Sequence, residues 1–352
     1  MKYLRVRCGA ENLKAAVLYG VRDLRVEEKC ISEVADDEVL IRVKATGICG
    51  TDVHIYLGEW KTGLPIILGH EFSGVIADVG RNVEGLDVSD RVVAEPNIIC
   101  GSCHFCRMSE RNYFCENLEA VGVTTDGAFA EYVKIKARNV YKIPHEISFE
   151  EAALIEPLAC CIRGVDRAGI KVGDTVAIIG AGPIGLILLQ LARMAGASMV
   201  MQTDMENTRL SLARKFGADY TINVKNEDPV EAIKKLTDGY GVDVAIEAVG
   251  KPDTITQAMK VTRRGGRMTI FGVSPQNAVW KVKPFDLYDK ELTITTSYRS
   301  PFTFQRAVKI ASSGRVKLKP LISHVFHLDE IESAFEVAEK RLGGAVKVLV
   351  KP

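Results

Sequence analysis

Val176-Ala177-Ile178-Ile179-Gly180-Ala181-Gly182-Pro183-Ile184-Gly185 is an apolar strand that runs into a glycine-rich turn and opens a helix. In this pattern the first glycine allows the tight turn and the second lets the backbone approach a pyrophosphate. The third lets helix and strand pack closely. The helix start adds free N–H groups and the positive end of its dipole, which suit phosphate. Gly180, Gly182, Pro183, Ile184 and Gly185 are therefore candidate dinucleotide contacts. Asp204 follows 19 residues beyond Gly185, at the end of the next strand-like run. An acid at about that distance grips the adenosine ribose hydroxyls and disfavours the extra phosphate of NADP, so NAD is the expected cofactor. Two features compete with this reading. Asp204 could cap the helix that follows, and Arg209 could tolerate a 2′-phosphate.

Around this stretch the chain alternates. Strand-like Met199–Met201, a helix over Thr208–Phe216, and strand-like Val242–Ile246 and Arg267–Phe271 follow in turn. Such alternation predicts a parallel sheet covered by helices on both faces. Residues before about 150 have a different texture. Val39–Val43, Phe72–Ala77, Arg91–Ala94 and Phe129–Val133 are short β-like runs separated by glycine-dense turns, as in a twisted antiparallel, partly barrel-like domain. The tail adds helices near Phe304–Ser312 and Asp329–Lys340 and is assigned to that first domain. The expected division is 1–160 with 299–352, and 161–298.

At 352 residues the chain exceeds the ~250–300 at which single cores stop growing, which fits two domains. A net charge of +1 gives no reason to expect nucleic acid or an anionic membrane as partner. Met1–Arg7 lacks the apolar stretch of a signal peptide. The longest uncharged run, Val176–Ala192, is broken by glycines and a proline, so no membrane span is expected. Without an export signal the nine cysteines are expected to stay reduced in a cytosol, where clustered thiols bind metal.

Two clusters carry metal chemistry. Cys100-x2-Cys103-x2-Cys106-x8-Cys115 offers four thiolates within 16 residues, enough to close a tetrahedral zinc shell, with an iron–sulfur cluster as chemical rival. Gly47-Ile48-Cys49-Gly50-Thr51-Asp52-Val53-His54 and Gly69-His70-Glu71 supply a thiolate, an imidazole and a carboxylate, the ligand types of a catalytic zinc with one open position. Cys49 and His70 are the firm candidates there, and Glu71 and Glu156 the carboxylate candidates. Glu156 lies in a mostly apolar segment, where a buried carboxylate needs a cation; an ordinary salt bridge is the alternative. Asp52 could fix the ring of His70. Thr51 and His54 are the groups needed to carry a proton to solvent.

Together these motifs, in this order along essentially the whole chain, resemble the zinc-dependent medium-chain dehydrogenase/reductase superfamily. The pattern is most similar to the sorbitol and related polyol dehydrogenases, while Thr51–Tyr56 with Glu59-Trp60 looks equally like L-threonine 3-dehydrogenases. The resemblance implies a Rossmann doubly wound NAD-binding domain and a GroES-like, mainly β catalytic domain. It implies zinc ligands at Cys49, His70 and Glu71, and a role for Glu156 on the zinc water or in the shell itself. It also implies substrate contact by Arg299. The implied reaction is hydride transfer from a zinc-bound secondary alcohol to NAD, with Thr51 and His54 relaying the proton. A cytoplasmic homo-oligomer, tetramer or dimer, acting on a small alcohol or polyol is implied as well. A non-catalytic zinc- and nucleotide-binding protein is the rival from another class. One departure from the family is the Cys106–Cys115 spacing, one residue longer than its usual loop.

Overall fold

The computed structural model describes residues 13–30 and 32–352; the leader reading made on Met1–Arg7 lies outside them. The chain divides into two compact units. One comprises the described residues up to Glu156 together with Phe304–Pro352, and the other is Pro157–Thr303. The division falls at 156/157 and 303/304, where the expected boundaries are 160/161 and 298/299. The first crossing lies inside a helix, Ile155–Ala168, at Pro157 in its first turn, where a proline is tolerated without ending the helix.

The first unit is built on the strand Glu38–Gly47, whose buried Val39, Leu40, Ile41, Val43 and Ala45 place it at the centre. It pairs antiparallel with Glu71–Val79 and Tyr132–Lys136 on its flanks and with Lys347–Lys351 at its end. The register sets Gly47 opposite Glu71 and Thr46 opposite Phe72. That pairing puts Cys49, two residues past one strand, next to His70 and Glu71 at the start of the other. Gly69, directly ahead of His70, takes φ +97°, a conformation side chains avoid; a Cβ there would also sit 2.9 Å from the Phe129 amide nitrogen.

Two elements differ from the expectation. The strand read at Phe129–Val133 begins only at Tyr132, because the amides of Ala128 and Phe129 are spent on the carbonyls of Gly69 and Leu68. The helix read at Asp329–Lys340 starts at Ile331, after a 3-10 turn over Leu328–Glu330.

The second unit holds a six-stranded, all-parallel sheet. In spatial order its strands are Tyr220–Asn223, Met199–Asp204, Thr175–Ile179, Val242–Glu247, Thr262–Ile270 and Thr293–Thr296. Numbered along the chain this is 3-2-1-4-5-6, the Rossmann order. The fold is α/β, a doubly wound sheet unit joined to a mainly β unit. Among the described residues no helix is long and apolar enough to cross a membrane.

Phe335 anchors the C-terminal helix in the core of the first unit. It is fully buried, with ring centroids 4.9 Å from Tyr56 and 5.7 Å from Phe129. Phe335→Ala is expected to cost about 3–5 kcal/mol of stability, measured by denaturant unfolding of the metal-loaded protein.

Candidate active site

The helix Gly50–Tyr56 begins at Cys49, and its third residue, Asp52, is fully buried. Asp52 Oδ2 accepts the Cys49 amide at 2.8 Å and Oδ1 accepts the Gly69 amide at 3.3 Å. Oδ1 also lies 3.3 Å from Nδ1 of His70. One carboxylate thus ties together the backbone at both candidate ligands. Ligand atoms of Cys49, His70 and Glu71 all fall within 4.8 Å of one another. Burial opposes charge on His70, but Asp52 and the Cys49 sulfur outweigh it and hold its pKa well above the ordinary value.

Glu71 has a partner that the sequence reading did not name. Lys347, nearly fully buried, sets its ammonium against Glu71 Oε2 and donates to the Ile48 carbonyl at 3.0 Å. Burial lowers the lysine pKa, yet the charge of Glu71 outweighs it and the net direction is up. Neither His70 Nδ1 nor Glu71 Oε2 has an aligned hydrogen-bond partner among the described residues, although each faces an opposite charge. A soft thiolate, an imidazole and a carboxylate converging within 4.8 Å form a donor set that fits zinc.

Thr51 and His54 are three residues apart on the same helix, hence on one face. Both are partly exposed, and His54 Nδ1 lies 2.5 Å from Glu59 Oε2, which fixes the ring. Glu156 is buried at 8% exposure and lies outside the Cys49–His70–Glu71 set. Beside it is Glu95, which the sequence reading missed. Burial, and then the charge of Glu156, push the Glu95 carboxyl up to about 7. The missed residues left a signal: Glu95 directly ends the apolar run Val92–Ala94, and Lys347 interrupts the run Val346–Val350.

The four loop cysteines converge as well. Sulfurs of Cys100, Cys103, Cys106 and Cys115 lie within 4.8 Å of one another, the extra residue before Cys115 notwithstanding. The Cys100 amide points at Cys115 Sγ, 3.2 Å away. Amides of Ser102 and Cys103 lower the Cys100 pKa, whereas burial and the neighbouring thiols raise that of Cys106. Four thiols with no open position fit a structural metal.

In the second unit the glycine turn stands at the carboxyl end of Thr175–Ile179. A Cβ on Gly185 would strike the Gly180 carbonyl, so the helix Pro183–Met194 can approach the strand only through a glycine. Asp204 ends its strand and is engaged by backbone amides: Ala181 at 2.7 Å, Met205 at 2.8 Å and Glu206 at 2.9 Å. The next helix, Asn207–Lys215, takes Glu206 as its N-cap, so Asp204 shapes the turn ahead of the helix instead of capping it. Arg209 is buried within that helix. Arg299 lies in the same unit in left-handed backbone, φ +60°, its guanidinium 4.5 Å from the Tyr298 ring centre. Few non-glycine residues adopt that conformation, and such strain concentrates at functional sites.

Residues 35–145 match the family model described as the alcohol dehydrogenase GroES-like domain, and residues 183–313 match the zinc-binding dehydrogenase model. The chain belongs to the zinc-binding alcohol dehydrogenases. These are oxidoreductases acting on CH–OH groups. The chain is 38% identical to sorbitol dehydrogenase of Bacillus subtilis (strain 168), over 97% of its own length and 98% of that protein. It is 40% identical to L-threonine 3-dehydrogenase of Caldanaerobacter subterraneus subsp. tengcongensis, over 93% and 95%. Among solved structures it is similar to one described as a zinc-binding dehydrogenase from Sinorhizobium meliloti 1021, bound to NADP. The TM-score is 0.93 at 39% identity, covering 97% of this chain and 100% of that one.

With two separate ligand sets, elemental analysis of protein purified without chelator is expected to give about two zinc ions per chain. One ion, or iron in place of zinc, would contradict the two-site geometry.

Proposed function

We propose that this zinc-binding alcohol dehydrogenase oxidises a secondary hydroxyl of a polyol or sugar alcohol, with NAD as hydride acceptor. The observation that carries the reading is the convergence of Cys49, His70 and Glu71 next to the helix bearing Thr51 and His54. Zinc held by those three residues would supply a Lewis acid that lowers the pKa of a substrate hydroxyl. Thr51 relays the hydroxyl proton, accepting it as its own hydroxyl proton passes on toward His54, and His54, steadied by Glu59, releases a proton to solvent, a step suited to imidazole. Glu156 acts through a water or as a further ligand, and Arg299 orients the substrate. The four-cysteine loop holds a structural zinc.

Asp204 favours NAD, since its carboxylate stands where a 2′-phosphate would bring further negative charge. The reading places the enzyme in a reducing cytosol, which both thiolate sites require. It also expects a dimer or tetramer formed through Thr293–Thr296, an edge strand of the six-stranded sheet. L-Threonine is the second substrate reading, supported by the 40% identical relative.

A substrate panel tests the proposal: polyols, simple secondary alcohols, sugars and L-threonine, each with NAD and with NADP, followed at 340 nm. The expected outcome is the highest kcat/KM with a polyol and NAD, and a narrowed NAD/NADP ratio in Asp204→Ala. A clear preference for L-threonine, or for NADP in the wild type, replaces the corresponding half of the reading.

Glu156→Gln keeps shape and removes charge. It is expected to lower kcat by about 10²-fold or more while NADH affinity and melting temperature stay near wild type. A destabilised variant with normal turnover per metal-loaded molecule would assign Glu156 to a structural ion pair.

A further inference from the structure

Glu247 is the last residue of the strand Val242–Glu247, and it is fully buried. Its Oε1 accepts three hydrogen bonds: the amides of Val249 and Gly250 at 2.8 Å each, and the Thr254 hydroxyl at 2.7 Å. Its main-chain carbonyl accepts two more, from the amides of Phe271 and Gly272 at 2.9 Å. Oε2 has no partner among the described residues. One residue therefore fixes the loop that leaves its own strand and the loop that leaves the neighbouring strand Thr262–Ile270.

The loops it holds are packed to the limit. A Cβ on Gly250 would strike the Val273 carbonyl, and one on Gly272 would strike the Gly250 amide nitrogen and come within 2.8 Å of Glu247 Oε2. The hold reaches the phosphate turn too. Val249 lies over Gly180, where a Cβ would come within 2.7 Å of its Cγ2, and the Ala248 amide donates to the Ile179 carbonyl at 2.9 Å. Strands Thr175–Ile179 and Val242–Glu247 are the neighbours at which the chain order 3-2-1-4-5-6 reverses. Ligands of doubly wound sheets bind outside the carboxyl ends of the strands at that switch point.

We infer that Glu247 is a positioning residue for the dinucleotide, holding the loops Ala248–Gly250 and Phe271–Val273 and the Gly180 turn in the shape that receives it. The inference rests on the reading of this crevice as the NAD site. What matters is one well-placed acceptor oxygen, because all three side-chain hydrogen bonds converge on Oε1. Ionisation strengthens the bonds to the amides but is not their sole basis.

The test is NADH titration by fluorescence on zinc-loaded wild type, Glu247→Leu and Glu247→Gln, with melting temperature and zinc content on the same preparations. Glu247→Leu takes the acceptor from the Val249 amide, the buried Gly250 amide and the Thr254 hydroxyl, and NADH affinity is expected to fall about tenfold or more. KM for NAD should rise while KM for the alcohol holds. Glu247→Gln keeps the acceptor and should recover most of the loss, to within about threefold of wild type. Should the leucine variant fail to fold, Glu247→Asp shortens the reach by one methylene and is expected to lose affinity likewise. Unchanged NADH affinity in the leucine or aspartate variant, with only a lower melting temperature, overturns the inference. So does a glutamine variant as weak as the leucine one. Wild-type protein that binds neither NADH nor NADPH overturns the cofactor reading itself, and this inference with it.

Discussion

Asp52 is the constraint on which the metal-binding half of the molecule depends. Its fully buried carboxylate accepts the Cys49 and Gly69 amides and faces Nδ1 of His70 at 3.3 Å. A buried carboxylate is tolerable only when so engaged. Its engagement fixes the start of one helix and the turn before one strand to the same point. Lys347 supplies the opposite charge from the C-terminal strand, against Glu71 and the Ile48 carbonyl. With zinc present, the charges of Cys49, Glu71, Asp52, Lys347 and the metal nearly cancel inside the protein. Removing one member would leave an unpaired buried charge, at a cost of about 3–5 kcal/mol.

The nucleotide-binding unit solves a different problem with uncharged backbone. Its carboxyl-end loops approach so closely that Gly180, Gly185, Gly250 and Gly272 have no room for a Cβ. Amides in such loops still need acceptors. Acidic side chains at two strand ends provide them, Asp204 for residues 181, 205 and 206, and Glu247 for residues 249 and 250. Each acid thereby shapes the crevice in addition to any contact with the cofactor.

Local spacing announced much of this. The strand–glycine turn–helix at 176–185, the acid at 204 and the four cysteines at 100–115 are short-range patterns, and the structure places the acid against the glycine turn and brings the four sulfurs together. The parallel sheet followed from the alternation of apolar strands and helices after residue 171. Long-range pairing was not legible. Nothing near Lys347 indicates that its strand would pair with Glu38–Gly47 and bring a cation to Glu71, some 276 positions away in the chain. Nor does the run Val92–Ala94 reveal that Glu95 would stand beside Glu156.

The sequence by itself determined the ligand types, the cofactor turn and the two-part α/β organisation, because these depend on neighbours within a turn or a strand. Only the tertiary structure decided which acids share charge, which amides they satisfy and where each unit begins. Those outcomes depend on sheet register and burial. A carboxylate's role is set by what the fold packs against it, and local sequence carries no record of that.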